Sequence, residues 1–481
     1  MKLQLLGNDE IKSIHVASTI ILNDVGVLVH ETEFLKFLAD NGATVDFDKK
    51  RARMAPELIN ECIKRTPKHI TLYAMDPKHD VEFNGERIYA HAVGGAANVI
   101  DLDSGQVRPS TLEDVENLTK LVDALPNIHT GTMIVYPSDV KERLRDIYAV
   151  EAIMRNTGKN FDATPYDDES YKYIIQLAEA LVGEEELKKR PIMTCSASPT
   201  SPLQFSSEVT KVLVRATRHR LPIAILPCPL AGATSPVTLA GTLVQQNAEM
   251  LAGLVMVQLL NPGNPFMYSP RCIPLDMATG QACAGIEAAI MSVGCVQLAK
   301  HYGFPSDVYG LDTDSKVLDE QLAFEKALNG LLPAIAEADM LSGAGCVEGG
   351  ITVSYEQLVI DDEVFGIIFR AVKGMDIDEE KLAVDVIMKV AGESSNFLQQ
   401  QHTLKHFRDE YYFPKLFDRS ARVRWQKMGS KSIVEAAREK VKKVLAEHAP
   451  PSLDADVKNK LRSILESATK NLVLSKRATD Q

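Results

Sequence analysis

The most informative segment of this chain is Gly232-Ala-Thr-Ser-Pro-Val-Thr-Leu-Ala-Gly-Thr-Leu-Val-Gln-Gln-Asn-Ala-Glu249. It follows a short apolar run at residues 223–227, which is typical of a buried strand. Ser235 suits a helix N-cap, and Pro236 suits the first helical position. An apolar stripe at helical spacing then follows, formed by Leu239, Leu243, Leu251, Leu254 and Val255. The stretch therefore predicts one unit of strand, glycine-bearing loop and capped helix.

The same unit recurs along the chain, with amphipathic helical stretches between short apolar runs. Eight runs predict strands, at residues 88–93, 128–134, 160–163, 192–196, 223–226, 265–269, 306–309 and 338–341. Strands that alternate with helices indicate an α/β fold with a parallel sheet, and eight of them favour closure as a (β/α)8 TIM barrel. A doubly wound open sheet is the alternative, but the chain lacks the glycine fingerprint G-x-G-x-x-G after the first strand.

The pattern changes on both sides of this alternation. Helical spacing and then turn-rich, strand-like pieces precede it, and charged amphipathic stretches broken at Pro450-Pro451 follow it. The sequence therefore predicts three parts: an N-terminal helical and β-rich cap at residues 1–86, the barrel at 87–353, and a C-terminal helical extension at 354–481.

Composition limits the classes of function. The 481 residues carry a net charge of −12, which argues against nucleic-acid binding. An acidic balance also favours cationic ligands, although it more often serves solubility. The chain has neither 18 consecutive apolar residues nor a signal-peptide core, and its seven cysteines form no C-x-x-C pair. We expect a cytoplasmic protein with reduced thiols, no membrane span and no disulfide framework.

Several longer segments carry a resemblance to a known family. They are Gly94-Gly95 with residues 103–114, then residues 232–249, 277–280, 314–316, 343–349 with 354–359, and 406–419. These segments span most of the chain and resemble the trimethylamine methyltransferase family, including members that lack pyrrolysine and demethylate quaternary amines. The resemblance implies a barrel that binds a methylated amine and passes one methyl group to the cobalt of a separate corrinoid protein. It also implies that cobalamin is carried by that partner and that this chain binds no cofactor of its own.

The chain departs from the members that act on trimethylamine, because those carry pyrrolysine and this chain contains only the twenty standard residues. A tertiary amine needs activation before it can leave, whereas a quaternary ammonium is already cationic and leaves as a tertiary amine without proton transfer. The expected substrate is therefore a quaternary amine such as glycine betaine, proline betaine, carnitine or γ-butyrobetaine.

Active sites of such barrels lie at the carboxyl ends of the strands. Those ends are poor in acid–base pairs and richer in aromatic, hydroxyl and proline residues. Glu348, just beyond the last strand, is the strongest candidate to oppose the charge of the substrate nitrogen. The alternative is that Glu348 turns outward as a first-turn helix charge. The glycines around it, including Gly345, could instead form a phosphate cradle, but an acidic residue inside that loop opposes an anion.

Four aromatic residues near strand ends are candidates for a cage around the cation, and packing in the core or at the rim is the alternative for each. They are Phe161, Tyr136, Tyr268 and Tyr309. Tyr268 ranks first because its strand ends in residues expected to face the mouth of the barrel.

The carboxylate of a betaine would also need hydrogen-bond donors. Arg271, Ser198, Thr200 and Gln204 follow the predicted sixth and fourth strands and could supply them. A surface or interfacial ion pair is the alternative for Arg271, and a plain polar turn is the alternative for the other three. His402 and His406 have metal-ligand spacing but no third ligand nearby, so we expect no metal site.

Two other classes of function stay open at this point. One is a non-catalytic barrel that binds a small cation, and the other is a phosphate-handling barrel lyase. We also expect a homo-oligomer that meets the corrinoid protein transiently, because barrels of this size usually associate.

Overall fold

The computed structural model describes residues 3–393 and 396–474. Its N-terminal part contains three helices: α1 (Asn8–Asp24), α2 (Thr32–Asp40) and α3 (Pro56–Arg65). Five short strands accompany them: β1 (Val27–Val29), β2 (Thr44–Asp46), β3 (Arg51–Arg53), β4 (Ile70–Leu72) and β5 (Val81–Phe83). Strands β1, β2 and β3 form an antiparallel sheet, and β4 and β5 form a hairpin.

Eight parallel strands lie at the eight predicted positions, which confirms the α/β class. They are β6 (Tyr89–Ala92), β9 (Gly131–Thr132), β10 (Phe161–Asp162), β11 (Met193–Ala197), β13 (Ile223–Ile225), β15 (Phe266–Tyr268), β17 (Asp307–Tyr309) and β18 (Met340–Ala344). They pair in two parallel runs, β9-β10-β11-β13-β15 and β17-β18-β6. Parallel bridges from His91 to Thr130 and from Tyr268 to Ser306 link the runs at both junctions.

Seven further short strands lie in the segments that follow these eight. They are β7 (Asn98–Ile100), β8 (Val107–Pro109), β12 (Gln204–Phe205), β14 (Leu230–Ala231), β16 (Ile273–Pro274), β19 (Cys346–Val347) and β20 (Thr352–Ser354). Strand β12 joins the N-terminal sheet beside β1, and β14 pairs with β16. Strands β19, β20, β7 and β8 form a four-stranded sheet. These additions build up the side on which the parallel strands end.

Helices cover the outside of the parallel strands. They are α4 (Leu112–Ala124), α5 (Arg145–Asn156), α6 (Asp168–Val182), α7 (Glu184–Lys189), α8 (Ser207–Arg218), α9 (Leu239–Leu260), α10 (Ile286–Tyr302), α11 (Glu320–Ile335) and α12 (Tyr355–Lys373). Apart from the short α7, which packs on α6, each helix packs against the next along the chain. None of the helices in the described residues is long and apolar enough to cross a membrane.

The C-terminal part consists mainly of helices in the residues that the structure describes. Its helices are α13 (Glu379–Leu382), α14 (Val384–Glu393), α15 (Gln401–Glu410), α16 (Arg422–Lys427), α17 (Ile433–Glu447) and α18 (Ala455–Thr469). Helix α17 packs against α12 and α4, and α18 packs against α6. The boundaries of the three predicted parts remain a prediction.

The predicted unit of strand, loop and helix around residues 232–249 forms with one correction: helix α9 begins at Leu239, and Thr238 is its N-cap residue. The backbone amides of Thr234 and Ser235 both donate to the carbonyl of Leu230, which ties these residues into a turn before the helix. Ser235 therefore bonds the Thr242 hydroxyl at 2.8 Å and does not act as the N-cap. The helix is also buried on nearly all sides, because α1 and α3 cover its outer face.

A small apolar cluster forms below the parallel strands. The β4–β5 hairpin contributes Leu72 and Phe83, and the strands contribute Tyr89, Met267 and Met340. These side chains close the interior from the amino ends of the strands. The space that remains lies toward the carboxyl ends.

Candidate active site

A cavity of about 320 Å³ occupies the carboxyl ends of the eight parallel strands. Each strand end supplies at least one lining residue, for example His91, Thr132, Asp162, Ser196, Leu226, Arg271, Tyr309 and Ser342. Leu72, Met267 and Met340 belong both to the lining and to the apolar cluster below, so they form the floor. A concave site with an apolar base and a few convergent polar groups is the usual form of a small-molecule site.

Three ionisable residues form a network in one wall. Arg271 is 5% exposed, and its Nη2 donates to Asp307 Oδ2 at 2.7 Å, while its Nη1 donates to the Asp307 carbonyl at 2.6 Å. His91 Nε2 lies 3.1 Å from Asp307 Oδ1, and its Nδ1 donates to the Ala92 carbonyl at 2.7 Å. Burial alone would raise the pKa of Asp307, but Arg271 and His91 hold it at about 2. The charge of Asp307 is therefore balanced within the protein.

Asp162 differs from Asp307 in its partners, because among the described residues hydroxyl groups and no cationic side chain donate hydrogen bonds to its carboxylate. Thr194 and Ser196 donate to Oδ1 at 3.1 and 3.0 Å, and Thr164 donates to Oδ2 at 2.6 Å. Thr194 and Ser196 are two residues apart on β11, so both point to the interior. Burial raises the pKa of Asp162, and the three hydroxyls and the charge of His91 offset only part of that rise. The site thus presents a carboxylate whose charge can be matched by a ligand.

A second carboxylate, Asp312, also lines the cavity. The Cys346 thiol donates to its Oδ1 at 2.8 Å, and the Thr313 amide donates to the same oxygen at 2.9 Å. Burial raises the pKa of Asp312, and these hydrogen bonds and the more distant Lys326 lower it less. Asp312 therefore resembles Asp162 in its electrostatics and differs from Asp307.

Two tyrosines complete the lining. The Arg271 guanidinium lies 5.5 Å from the centre of the Tyr309 ring. Tyr136 lies against Gly95, whose φ of +80° suits glycine, and a Cβ added there would lie 3.0 Å from the Tyr136 ring. Burial raises the pKa of Tyr136 to about 12, so its hydroxyl is neutral near pH 7. These rings and the floor methionines give the cavity polarisable, partly apolar walls.

Of the residues predicted from sequence, four line the cavity together: Tyr136, Tyr309, Ser198 and Arg271. The alternative prediction for Arg271 was a surface or interfacial ion pair. Arg271 does make an ion pair, with Asp307, but that pair is buried in the cavity wall. The structure therefore brings together two of the four cage candidates and two of the four donor candidates.

Phe161 and Tyr268 do not face the cavity, which corrects the expectation that they form a cage. Neighbouring side chains of a strand point to opposite faces. Asp162 and Met267 line the interior, so Phe161 and Tyr268 point outward into the core. The Tyr268 hydroxyl accepts from Gln246 at 2.8 Å and donates to Asn247 at 3.0 Å, both on helix α9. Tyr268 is thus a packing residue between strand and helix.

Four further candidates lie outside the lining. Thr200 and Gln204 exchange backbone hydrogen bonds across a tight turn, and Gln204 pairs with β1. The Gly345 amide donates to Asp361 at 2.7 Å, so it binds the protein rather than a ligand. Glu348 accepts from the Thr352 hydroxyl at 2.8 Å, although the next two glycines do line the cavity. Contact between Glu348 and a substrate remains a prediction.

Sequence reasoning missed four ionisable residues of the cavity: His91, Asp162, Asp307 and Asp312. The strand ends are therefore richer in acid–base groups than expected. Strand alternation could have found Asp307, because it shares the inward face with the predicted site residue Tyr309. The network joining Arg271 to His91 could not be found this way, since His91 and Asp307 lie on two different strands and Arg271 lies in the loop after a third.

A ligand-sized cavity with buried carboxylates at the ends of parallel strands is typical of a small-molecule site in an α/β protein. Residues 1–472 match the model of the trimethylamine methyltransferase (MTTB) family, and the chain belongs to that family. It is therefore a methyltransferase.

Relatives in this family cover nearly the whole chain. The trimethylamine methyltransferase MttB of Desulfitobacterium hafniense (strain DSM 10664 / DCB-2) is 33% identical over 95% of this chain and 92% of its own length. The glycine betaine methyltransferase of D. hafniense (strain Y51) is 31% identical over 98% of both chains. The crystal structure of the Methanosarcina barkeri monomethylamine methyltransferase (MtmB) superposes with a TM-score of 0.56. It covers 96% of this chain and 88% of that one at 12% identity, and the likeness concerns the fold.

Proposed function

We propose that this chain demethylates a quaternary amine and transfers the methyl group to the Co(I) of a separate corrinoid protein. The proposed substrates are glycine betaine, proline betaine, carnitine and γ-butyrobetaine. The observation that carries this proposal is the Asp162 carboxylate, which hydroxyl groups hold inside the cavity. A permanently charged nitrogen would complement it without a proton being transferred.

The composition of the chain supports the same substrate class. A quaternary nitrogen needs no activation, because the methyl–nitrogen bond breaks with its electron pair staying on nitrogen and a neutral amine leaves. A site for this reaction therefore needs no pyrrolysine, and this chain contains only standard residues. A relative named for glycine betaine matches 98% of this chain.

In this proposal the residues of the chain bind and orient the cation. Asp162 opposes its charge, and the faces of Tyr136 and Tyr309 contact its methyl groups. Arg271 and Ser198 lie at the same cavity and would bind the carboxylate of a betaine. Because Asp307 fixes the Arg271 guanidinium, little freedom is lost when the substrate binds. The corrinoid cobalt supplies the nucleophile from the partner.

We also propose that the eight parallel strands form one closed (β/α)8 barrel. The two bridges at the junctions of the parallel runs and the contribution of all eight strand ends to one cavity support this. Closure gives the reaction one dry pocket with a single mouth, through which one methyl group can be directed to the partner.

The activity is tested by mixing the protein with a reduced corrinoid protein and one candidate amine at a time. We expect the visible absorbance of Co(I) to fall with at least one quaternary amine and to stay constant with trimethylamine. Constant absorbance with every quaternary amine would refute the proposal. Binding without demethylated product would assign the chain to the class of non-catalytic cation binders instead.

The role of Asp162 is tested by calorimetry with two ligands of the same shape. Glycine betaine carries the cation, and 3,3-dimethylbutanoate has a neutral carbon in place of the nitrogen. We expect wild-type protein to prefer the betaine by about tenfold or more, which is about 1.4 kcal/mol. Asp162→Asn should reduce that preference, while Ser198→Ala should lower the affinity for both ligands alike. An unchanged preference in Asp162→Asn would remove Asp162 from the cation site.

A further inference from the structure

His91 on β6 places both nitrogens of its ring against oxygen atoms that can only accept hydrogen bonds. Its Nδ1 lies 2.7 Å from the carbonyl oxygen of Ala92, and its Nε2 lies 3.1 Å from Asp307 Oδ1. A carbonyl oxygen has no proton to donate. Asp307 has none either, because it accepts from the Arg271 guanidinium at 2.7 Å as a carboxylate. Both ring nitrogens of His91 therefore have to donate.

Only the imidazolium form of histidine donates from both nitrogens. A neutral imidazole carries one N–H, so its other nitrogen would turn a lone pair toward an oxygen that also carries negative charge. Water does little to weaken that repulsion here, since the side chains of His91 and Asp307 are only 16% and 8% exposed. The geometry therefore favours a positively charged ring at His91.

His129 has the opposite arrangement and gives a comparison within the same protein. The Ala90 amide donates to its Nδ1 at 3.0 Å, which requires a lone pair on that nitrogen. Burial and the charge of Lys159 lower the pKa of His129 to about 3, so its ring is neutral near pH 7. The two histidines therefore differ in charge, although both bond to the backbone of β6.

Asp307 thus faces two cations and can offset the charge of only one. Its Oδ2 accepts from Arg271, and its Oδ1 accepts from His91. The three side chains line the same cavity and together carry one positive charge in excess. Asp312 does not cancel this excess, because burial raises the pKa of its carboxyl and disfavours its charge.

The cavity therefore has two electrostatic ends. Asp162 on β10 presents a carboxylate, and the network centred on Asp307 of β17 presents the excess positive charge. Strands β11, β13 and β15 lie between β10 and β17. A molecule with a cationic and an anionic group complements both ends. A cation without an anionic group would leave the positive charge of the network unmatched.

We propose that His91 determines the specificity of the cavity for quaternary amines that carry a carboxylate. Arg271 supplies the hydrogen bonds to that carboxylate, and His91 acts through the charge that it adds to the network. The inference deepens the proposed function and rests on it for the cationic end of the substrate.

Nuclear magnetic resonance of the free protein tests the charge of His91. The chain has 11 histidines, and protein labelled with nitrogen-15 at these alone shows the two ring nitrogens of each. The His91 signals are those that disappear in His91→Gln. Near pH 7 we expect nearly equal shifts for the two nitrogens of His91, the signature of an imidazolium, and widely separated shifts for the neutral His129. Widely separated shifts for His91 would overturn the proposal.

Calorimetry with glycine betaine and its carboxamide tests the specificity. The carboxamide keeps the trimethylammonium group and replaces the carboxylate with a neutral group of the same shape. We expect wild-type protein to prefer glycine betaine by about tenfold or more, because one unit charge acts strongly across a partly desolvated cavity. Equal affinities for the two ligands would overturn the proposal.

The variant His91→Gln separates a role of the charge from a role in packing. Glutamine can still donate to Asp307 but carries no charge, so the affinity for glycine betaine should fall while that for the carboxamide stays constant or rises. His30→Gln is the matched control, because His30 is exposed in the N-terminal part, and it should keep the wild-type preference. An unchanged preference in His91→Gln, or an equal loss of affinity for both ligands, would overturn the proposal.

Neither measurement contains a corrinoid protein, so the result is distinct from that of the methyl-transfer assay. If Co(I) stays unreacted while His91 is an imidazolium and sets the preference for the carboxylate, the proposed function fails and the specificity assigned to His91 stands.

Discussion

Replacing Asp307 with asparagine isolates the contribution of the buried network in the cavity wall. The change keeps the shape of the side chain and removes one negative charge. Arg271, which is 5% exposed, then stays buried without its counter-ion. Removing one partner of a buried ion pair costs about 3–5 kcal/mol. We therefore expect Asp307→Asn to lower the free energy of unfolding by that amount near pH 7.

The pH dependence tests the same network through the net pKa shift of Asp307, in which the cost of burial offsets part of the attraction to Arg271 and His91. The folded-state pKa of Asp307 is about 2, below its ordinary value of 3.8, which corresponds to roughly 2 kcal/mol. Because the folded pKa is the lower one, this stabilisation is complete above about pH 4 and is lost as the pH falls toward 2. The difference between wild-type protein and Asp307→Asn should therefore shrink over that range.

Asp312→Asn is the matched control, since Asp312 lines the same cavity but burial raises its pKa. Asparagine removes that buried charge, so we expect the free energy of unfolding of Asp312→Asn to lie within about 1 kcal/mol of the wild-type value. Urea unfolding of both variants at one protein concentration measures the two free energies. Equal losses in the two variants would refute the interpretation that Arg271 makes Asp307 different.

Three further predictions follow from glycines and from the loop after β18. Gly95→Ala and Gly105→Ala both place a side chain at positive φ, and each should lower the free energy of unfolding by about 1–2 kcal/mol. Only Gly95→Ala should also raise the substrate KM, because its Cβ contacts Tyr136. Gly253→Ala should lower the free energy of unfolding by about 1–3 kcal/mol, because its Cβ would lie 2.7 Å from Ile225. The Cβ of Gly392→Ala meets nothing within 4 Å, so this helical substitution should raise the free energy of unfolding by up to about 1 kcal/mol. Thermal or urea unfolding measures both changes. Glu348→Gln should reduce kcat/KM by up to about fivefold with the fold intact, and wild-type kinetics would remove Glu348 from the site.

The fold could be predicted because it depends on local patterns. Each of the eight parallel strands lies within one of the short runs that predict a strand, and hydrophobic periodicity marks the helices between them. The first residue of helix α9 was harder to predict, because Ser235 alone suits an N-cap and Pro236 alone suits the first helical position. The hydrogen bonds of Thr234 and Ser235 to Leu230 compete with that role, and they depend on the nearby pairing of β14 with β16.

The site was predicted less well because it depends on which face of each strand points inward. A shift of one residue reverses the face, so Phe161 was chosen where Asp162 lines the cavity, and Tyr268 was chosen where Met267 does. The face that points inward cannot be read from the apolar residues of a two- or three-residue strand, since both faces of a parallel sheet covered by helices are buried. Contacts across strands, such as that of Arg271 with Asp307, decide it.

Asp162 also predicts how substrate binding depends on pH. Burial raises its pKa, so lowering the pH protonates the carboxyl and removes the charge that attracts a cation. A bound quaternary ammonium favours the ionised form and therefore lowers this pKa. By linkage, the affinity for the cation should rise with pH until Asp162 is fully ionised, and binding below that point should release protons. Calorimetry of glycine betaine in buffers of different ionisation enthalpy measures that release, with Asp162→Asn as the control that should release fewer protons. If both proteins release the same number of protons, a group other than Asp162 binds the cationic nitrogen of the substrate.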